Sequence, residues 1–206
     1  MEYRIKEREK IMEKSVFNNG FFEFLETEEE FIVDGEKRNI KRTMVRRPPG
    51  IRALIVDKEN NKILLSKEFR YELNDWDYRL PGGKVFDSLM DYKEALKNND
   101  VLKHVEKTVP KEVMEEVGLI VKNPKLLKVS KDGAKVIWDL YYYEITDYEL
   151  SENGPQLEEN ELVDGYIWVT FDEVIDLCIK HSIHEDRTVG MLLSYILEFK
   201  GNAYGN

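Results

Sequence analysis

The chain has 206 residues, 42% of them hydrophobic, which suffices for one sizeable core and a small appendage. Its formal net charge of −10 at pH 7 argues against a nucleic acid or an anionic membrane surface as partner. Cys178 is the single cysteine, and no apolar run approaches the ~20 residues that span a bilayer. We therefore expect a cytoplasmic protein.

The sequence predicts that residues 1–47 form an N-terminal arm and a small antiparallel β appendage. Residues 1–14 are highly charged, which fits a short helix or a loose arm. Apolar residues then alternate or cluster on both sides of Asp34-Gly35, a turn sequence typical of a β-hairpin. Pro48-Pro49-Gly50 interrupts regular structure and marks the end of the appendage.

The main domain is expected at 48–200, with a disordered tail at 201–206. Strand and helix patterns alternate along it, which predicts an α+β fold. In order, we expect a hairpin at 51–69, helices over Asp87–Lys97 and Asp100–Val117, strands within 119–148 and at Tyr166–Val169, a helix from Thr170 or Asp172 to Ile179, and a last helix from Asp186 or Thr188 to Phe199.

Three glutamates near the end of the second predicted helix share one helical face. Glu112, Glu115 and Glu116 are spaced i, i+3 and i+4, and Gly118 stands where the helix is expected to end. Three like charges repel one another unless a cation lies among them, and Mg²⁺ prefers such oxygen ligands. In a chain that is 35% charged, the same pattern also fits a solvated surface.

Two segments together resemble the box of the Nudix hydrolases, G-x5-E-x7-R-E-U-x-E-E-x-G-U, where U is a bulky aliphatic residue. The first half is Leu80-Pro81-Gly82-Gly83-Lys84-Val85, and the second half runs from Lys111 to Leu119. Glu112 follows Gly83 by 29 positions (112 − 83), where the family pattern has 15, which implies a 14-residue insertion within 87–104. Lys111 stands where the family has Arg.

The first glutamate of the box has no clear counterpart, since its position is occupied by Leu89 counting forward from Gly83 and by Lys103 counting back from Lys111. The segments Leu65–Tyr71 and Arg47–Ile51 are similar to the ADP-ribose pyrophosphatase branch of the family. The resemblance implies a Nudix-type α/β/α sandwich with a mixed sheet, and an N-terminal β appendage that builds a homodimer.

The resemblance also implies a site that cleaves a nucleoside diphosphate linked to another moiety, with Mg²⁺ or Mn²⁺ as cofactor. The metal ligands implied are the Gly82 carbonyl, Glu112, Glu116 and Glu115, the last either as a third ligand or as a residue that orients the attacking water. A general base is expected from the loop at 151–164, where the candidates are Glu158, Glu159 and Glu161.

Candidate substrate-binding residues are Arg47, Arg70, Trp76 and Tyr78. Arg suits bidentate phosphate recognition, and an aromatic ring can stack on a base. ADP-ribose or a nucleotide sugar is the leading substrate. Arg79, which stands where the branch usually carries Glu, and the insertion leave open a nucleoside triphosphate or a dinucleotide. Lys111 and the missing glutamate leave open a binding module with weak catalysis.

Overall fold

The computed structural model describes residues 5–133, 135–157 and 162–204. In chain order the elements are β1 (Ile5–Asn18), β2 (Glu23–Val33), β3 (Glu36–Arg46), β4 (Gly50–Asp57), β5 (Lys62–Arg70), β6 (Asp75–Arg79), α1 (Leu89–Asn98), α2 (Val101–Val117), β7 (Leu119–Lys122), β8 (Lys125–Gly133), β9 (Val136–Ile145), β10 (Asp147–Leu150), β11 (Val163–Thr170), α3 (Phe171–Ile179) and α4 (Asp186–Tyr204).

The chain forms two compact units. The first contains residues 1–49, 84–104 and 131–140, and the second contains residues 50–83, 105–130 and 141–206. Helix α2 and strand β9 each contribute residues to both units. The mixture of antiparallel strands and helices in the second unit agrees with the predicted α+β class.

The first unit is built on the antiparallel strands β1, β2 and β3. The predicted turn is present, because Asp34 and Gly35 have φ of 54° and 86° between β2 and β3. The helix or loose arm expected at 1–14 is wrong for the described part, since β1 begins at Ile5 and pairs with β2 along its length. Strand pairing here overrides a charged sequence without an apolar period.

The insertion forms helix α1 in the first unit. Ser88 caps it by accepting a hydrogen bond from the Asp91 backbone N–H. Leu89 and Tyr92 pack with Phe86 and Ala95 in a small buried cluster. The 14 additional residues therefore bring their own apolar contacts to the fold.

The second unit is built on a sheet in the order β9, β4, β5, β11, with β6 paired to β5. Strand β4 is buried along almost its whole length. Thr170 caps α3 through a capping box with Glu173, which decides between the two predicted caps, and α4 continues to Tyr204 beyond the expected end at Phe199. The predicted disorder of 201–206 is thus wrong for 201–204, and the last two residues lie outside the described part.

Helix α2 carries the acidic turn at its C-terminal end. Its buried side consists of Val105, Val109 and Val113, spaced four apart, and Pro110 lies within the helix. The α2 face that bears the glutamates is therefore fixed by the packing of the valine side. No helix in the described ranges is long and apolar enough to cross a membrane.

Candidate active site

The turn at Leu80–Gly83 is held against β4 by backbone hydrogen bonds. The Ile51 N–H donates to the Gly83 carbonyl at 2.9 Å, and the Ala53 N–H donates to the Pro81 carbonyl at 2.7 Å. Gly82 has φ of +151°, and a Cβ there would lie 2.3 Å from the Ile51 carbonyl oxygen. Only glycine fits this position without a clash against the Ile51 backbone.

Two glutamates of α2 approach this turn. Glu116 Oε2 accepts a hydrogen bond from the Gly82 N–H at 2.7 Å. Glu112 Oε2 lies 2.0 Å from the point that a Cβ on Gly83 would occupy. The absence of a side chain at Gly83 therefore admits the Glu112 carboxylate, and the two segments separated by the insertion meet in space.

Glu115 forms an ion pair with Lys111. Its Oε2 is 2.9 Å from Lys111 Nζ, which is also 3.6 Å from Glu112 Oε1. The hydrogen bond to Glu115 raises the pKa of Lys111, and the Glu115 side chain is 43% exposed. Among the described residues, no three His, Cys, Asp or Glu side chains are grouped closely enough to hold a metal ion.

A cavity of about 170 Å³ lies beside Glu116. Its polar wall includes Glu116, Glu68 and Arg70, and its apolar wall includes Leu162 and Tyr166. The Arg70 guanidinium donates to Glu72 Oε1 from Nε at 2.9 Å and from NH2 at 2.7 Å. The volume is below the roughly 300–1,000 Å³ of typical ligand pockets, so the cavity has room for only part of a ligand of that size.

The segment that precedes residue 158 is attached to the end of α2. The Gln156 N–H donates to the Glu115 carbonyl at 2.6 Å, and the Ser151 N–H donates to the Gly118 carbonyl at 2.9 Å. Leu157, the next residue along the chain, lines the cavity together with Leu162. The predicted base candidates Glu158, Glu159 and Glu161 lie outside the described residues.

The comparisons with known proteins bear on this geometry. The model of the NUDIX domain family matches residues 46–189. The chain belongs to the Nudix family. A solved structure described as an ADP compounds hydrolase is similar over 98% of this chain and 98% of its own, with a TM-score of 0.65 and 16% identity. No curated protein sequence matches the chain significantly.

These findings confirm two predictions made from the sequence. The chain is a Nudix pyrophosphohydrolase, and its α+β fold is of the Nudix type. The 14-residue insertion interrupts the Nudix box in sequence, yet Gly82 and Gly83 still meet Glu116 and Glu112. The Nudix turn and the Nudix helix thus keep their contact across the insertion.

The other predicted substrate-binding residues of this Nudix protein are engaged elsewhere. Trp76 packs edge-on against Phe69, with ring centroids 5.7 Å apart, and the Tyr78 N–H donates to the Ser182 carbonyl at 3.1 Å. Neither residue belongs to the wall of the cavity beside Glu116, although the backbone contact of Tyr78 leaves its side chain available, and both stay predicted substrate-binding residues.

Arg47 belongs to the first unit. Its guanidinium carbon lies 4.2 Å from the ring centroid of Trp138 and 5.2 Å and 5.4 Å from those of Phe21 and Phe22. These contacts have the geometry of cation–π interactions within that unit.

A buried ionic cluster under the Nudix turn was missed by the sequence reasoning. Arg52 donates to Glu185 from Nε at 2.9 Å and from NH2 at 3.1 Å, and Thr188 Oγ1 donates to the same carboxylate at 2.5 Å. Burial opposes ionisation of Glu185, but the charge and hydrogen bonds of Arg52, with the Thr188 hydrogen bond, lower its pKa to about 2. The available signal was an arginine inside the apolar strand β4, which requires a buried partner.

Proposed function

We propose that this Nudix pyrophosphohydrolase acts on a nucleoside diphosphate linked to a sugar, with ADP-ribose as the leading substrate and Mg²⁺ or Mn²⁺ as cofactor. One observation carries the proposal. Glu112 and Glu116 are gathered on the Gly82–Gly83 turn, and Glu116 also lines a cavity with Arg70. Oxygen ligands and a planar cation are thereby placed beside one small cleft.

The residues fit a divalent cation as a pair of glutamates rather than as a triad. The Gly83 position leaves room for the Glu112 carboxylate, and carboxylate oxygens are the ligands that Mg²⁺ prefers. Mg²⁺ is usually held by one or two carboxylates, with substrate phosphates and water completing its shell. When bound, the cation supplies charge stabilisation to the phosphate oxygens during hydrolysis. The Gly82 carbonyl stays a predicted further ligand.

Side chains of the protein are proposed to bind the phosphate, orient the attacking water and accept its proton. Arg70 is the proposed phosphate-binding group, and it must exchange its contact with Glu72 for the substrate. Glu115 orients the attacking water in this proposal. A loop glutamate takes the proton from that water, and the support for this role is that Leu157 and Leu162, on either side of 158–161, line the cavity.

The general base can be identified by three separate variants, Glu158→Gln, Glu159→Gln and Glu161→Gln. We expect one of them to lower kcat by about 10²–10⁴-fold, the usual contribution of a general base. The same variant should lose the acidic limb of the pH–rate profile. Equal and small effects of all three would contradict a base in this loop.

The charges near the cleft support one substrate class over the other. Arg79, which motivated the triphosphate alternative, lies 2.9 Å from Asp77 and 3.5 Å from Glu68. Its charge is therefore committed to carboxylates, which favours a nucleotide sugar over a nucleoside triphosphate. The structural likeness to an ADP compounds hydrolase is in keeping with this choice.

A substrate panel tests the proposal. With Mg²⁺ present, we expect faster release of a nucleoside monophosphate from ADP-ribose than from nucleoside triphosphates or dinucleotides, and no release in EDTA. Preference for a triphosphate would move the assignment to that class, and no turnover of any compound would overturn the proposal.

A binding module with weak catalysis is a second candidate. It is favoured by one observation, that Glu115 is paired with the exposed Lys111 while no three acidic side chains among the described residues are grouped closely enough to hold a metal ion. Nucleotide binding without measurable turnover in Mg²⁺ or Mn²⁺ would support the module. Assembly as a homodimer through residues 1–47 and a cytoplasmic location stay predictions, and sedimentation of the full chain tests the first.

A further inference from the structure

Glu68 is a carboxylate in the cleft that the Nudix box does not include. It lies on β5, its side chain is 20% exposed, and it lines the cavity with Glu116 and Arg70. Ser66 Oγ donates a hydrogen bond to Glu68 Oε1 at 2.6 Å. On the other oxygen, Glu68 Oε2 lies 3.5 Å from Arg79 Nε.

Arg79, one of the residues that contact Glu68, is itself fixed by other carboxylates. Arg79 donates from NH1 to Asp77 at 2.9 Å, and its NH2 lies 3.8 Å from Glu185. Asp77 is fully buried and accepts a hydrogen bond from the His184 backbone N–H at 3.0 Å. Arg79 thus has two further carboxylates as partners, and Glu68 is not needed to neutralise it.

The surroundings of Glu68 decide what it can bind. Three carboxylates, those of Glu68, Glu72 and Glu116, line the cavity together with the cation Arg70. Arg70 lies 3.8 Å from Glu68 Oε2, so a phosphate beyond those that Arg70 binds would meet an excess of like charge. A carboxylate is instead a good acceptor for hydroxyl groups, and hydrogen bonds to charged acceptors are the stronger ones. The rigid support from Ser66 and Arg79 lowers the cost of ordering such a contact.

We propose that Glu68 is a specificity-determining residue, which accepts hydrogen bonds from the hydroxyls of the moiety attached to the nucleoside diphosphate and disfavours a third phosphate there. This inference rests on the proposed function, because it assigns a role within the same cleft. Ser66 is then a positioning residue that acts through Glu68.

The test measures equilibrium binding of ADP-ribose, ADP and ATP to the full chain in EDTA, alongside kcat/KM in Mg²⁺. Glu68→Gln keeps the shape of the side chain and removes its charge. We expect it to weaken ADP-ribose binding by about 10- to 100-fold, the value of a hydrogen bond to a charged group, while ATP binding stays equal or improves. Ser66→Ala should shift the preference in the same direction by less.

Glu59→Gln is the matched control, since Glu59 is exposed in the turn at the opposite end of the β4–β5 hairpin and the charge change is identical. It should leave the ligand preference unchanged. Equal weakening of all three ligands by Glu68→Gln, or tighter binding of ATP than of ADP-ribose by the unchanged protein, overturns the inference.

Binding and turnover separate this inference from the proposed function. If the unchanged protein prefers ADP-ribose and Glu68→Gln abolishes that preference, the role of Glu68 stands even when no compound is hydrolysed. In that case the proposed hydrolysis alone has failed.

Discussion

Two regions of the second unit differ in how the charge of their carboxylates is compensated. On the Nudix turn, Glu116 meets a backbone N–H, and Glu112 lies near an exposed lysine. Beneath it, Glu185 receives two hydrogen bonds from Arg52, and both side chains are almost buried, at 15% and 9% exposure. The first arrangement keeps acidic oxygens beside a cleft for a ligand, whereas the second has its charge compensated within the protein, so that loss of either partner would leave a buried charge uncompensated.

The largest effect on activity is expected at the turn. Glu116→Gln removes the charge that a bound cation needs while keeping an oxygen for the Gly82 N–H. We expect kcat to fall by at least about 10²–10³-fold, the range for loss of one preorganised electrostatic group. The melting temperature should stay close to that of the unchanged protein, and a threefold or smaller loss of rate would contradict the assignment.

For the buried Arg52–Glu185 pair, we expect the larger effect on stability. Arg52→Met removes both hydrogen bonds from Arg52 to Glu185 and leaves it only the more distant Arg79 at 3.8 Å, so the free energy of unfolding should fall by about 3–5 kcal/mol, as measured by urea denaturation. Lys180→Met is the control, because Lys180 forms an exposed ion pair with Asp176, and such pairs contribute at most about 1 kcal/mol. Equal losses of unfolding free energy in the two variants would show that breaking the buried pair costs no more than breaking an exposed one.

Glu185 contributes one part of the pH dependence of stability. Because its pKa is lowered from 4.5 to about 2 in the folded protein, its contribution is present above about pH 5 and is lost as the pH falls from 4.5 toward 2. Urea unfolding at pH 7, 4 and 3 should show this loss. Glu185→Gln should flatten that part of the curve, and an unchanged slope would contradict the assignment.

The two glycines of the turn provide a matched pair. Gly82→Ala places a Cβ against the Ile51 backbone at positive φ, so it should cost at least about 1–3 kcal/mol of stability. Gly83→Ala instead displaces the flexible end of Glu112, and a misplacement of about 1 Å can cost on the order of 10²-fold in rate. Melting curves measure the loss of stability, which we expect for Gly82→Ala. The value of kcat measures the loss of rate, which we expect for Gly83→Ala.

The smallest effect is expected at Lys111. Its Nζ lies 2.9 Å from Glu115 and 3.6 Å from Glu112, a geometry that the planar fork of arginine can satisfy with two donors. Lys111→Arg should therefore raise kcat/KM, by no more than about fivefold because the side chain is mostly exposed. A decrease would show that the point charge of lysine suits this site better.

The spacing of residues predicted much of the site. The i, i+3, i+4 glutamates and the Pro-Gly-Gly sequence identified the two segments of the candidate site. Helix packing and turn geometry then bring Glu112 and Glu116 to the Gly82–Gly83 turn. Spacing on a helix did not show that Glu115 would be drawn to Lys111, since that depends on side-chain rotamers. The hairpin at Asp34-Gly35 was predicted because its turn chemistry is local.

The contacts that the sequence could not predict are long-range. Arg52 and Glu185 are far apart in the chain, and nothing local links them. The cleft position of Glu68 depends on the register of β5 with β6, where Glu68 faces Asp77 and Ser66 faces Arg79. The strand at 5–14 forms because β2 supplies its hydrogen-bond partners, although its own sequence is charged.

The most direct test of the metal pair is a Mg²⁺ titration of ADP-ribose hydrolysis in the unchanged protein and in Glu112→Gln and Glu116→Gln. If the two carboxylates on the glycine turn hold the cation, hydrolysis should stop in EDTA, and each variant should need at least about tenfold more Mg²⁺ for half its maximal rate, the lower end of the loss seen when one group at a metal site is removed. Hydrolysis that persists in EDTA, or an unchanged Mg²⁺ requirement in both variants, would contradict the account.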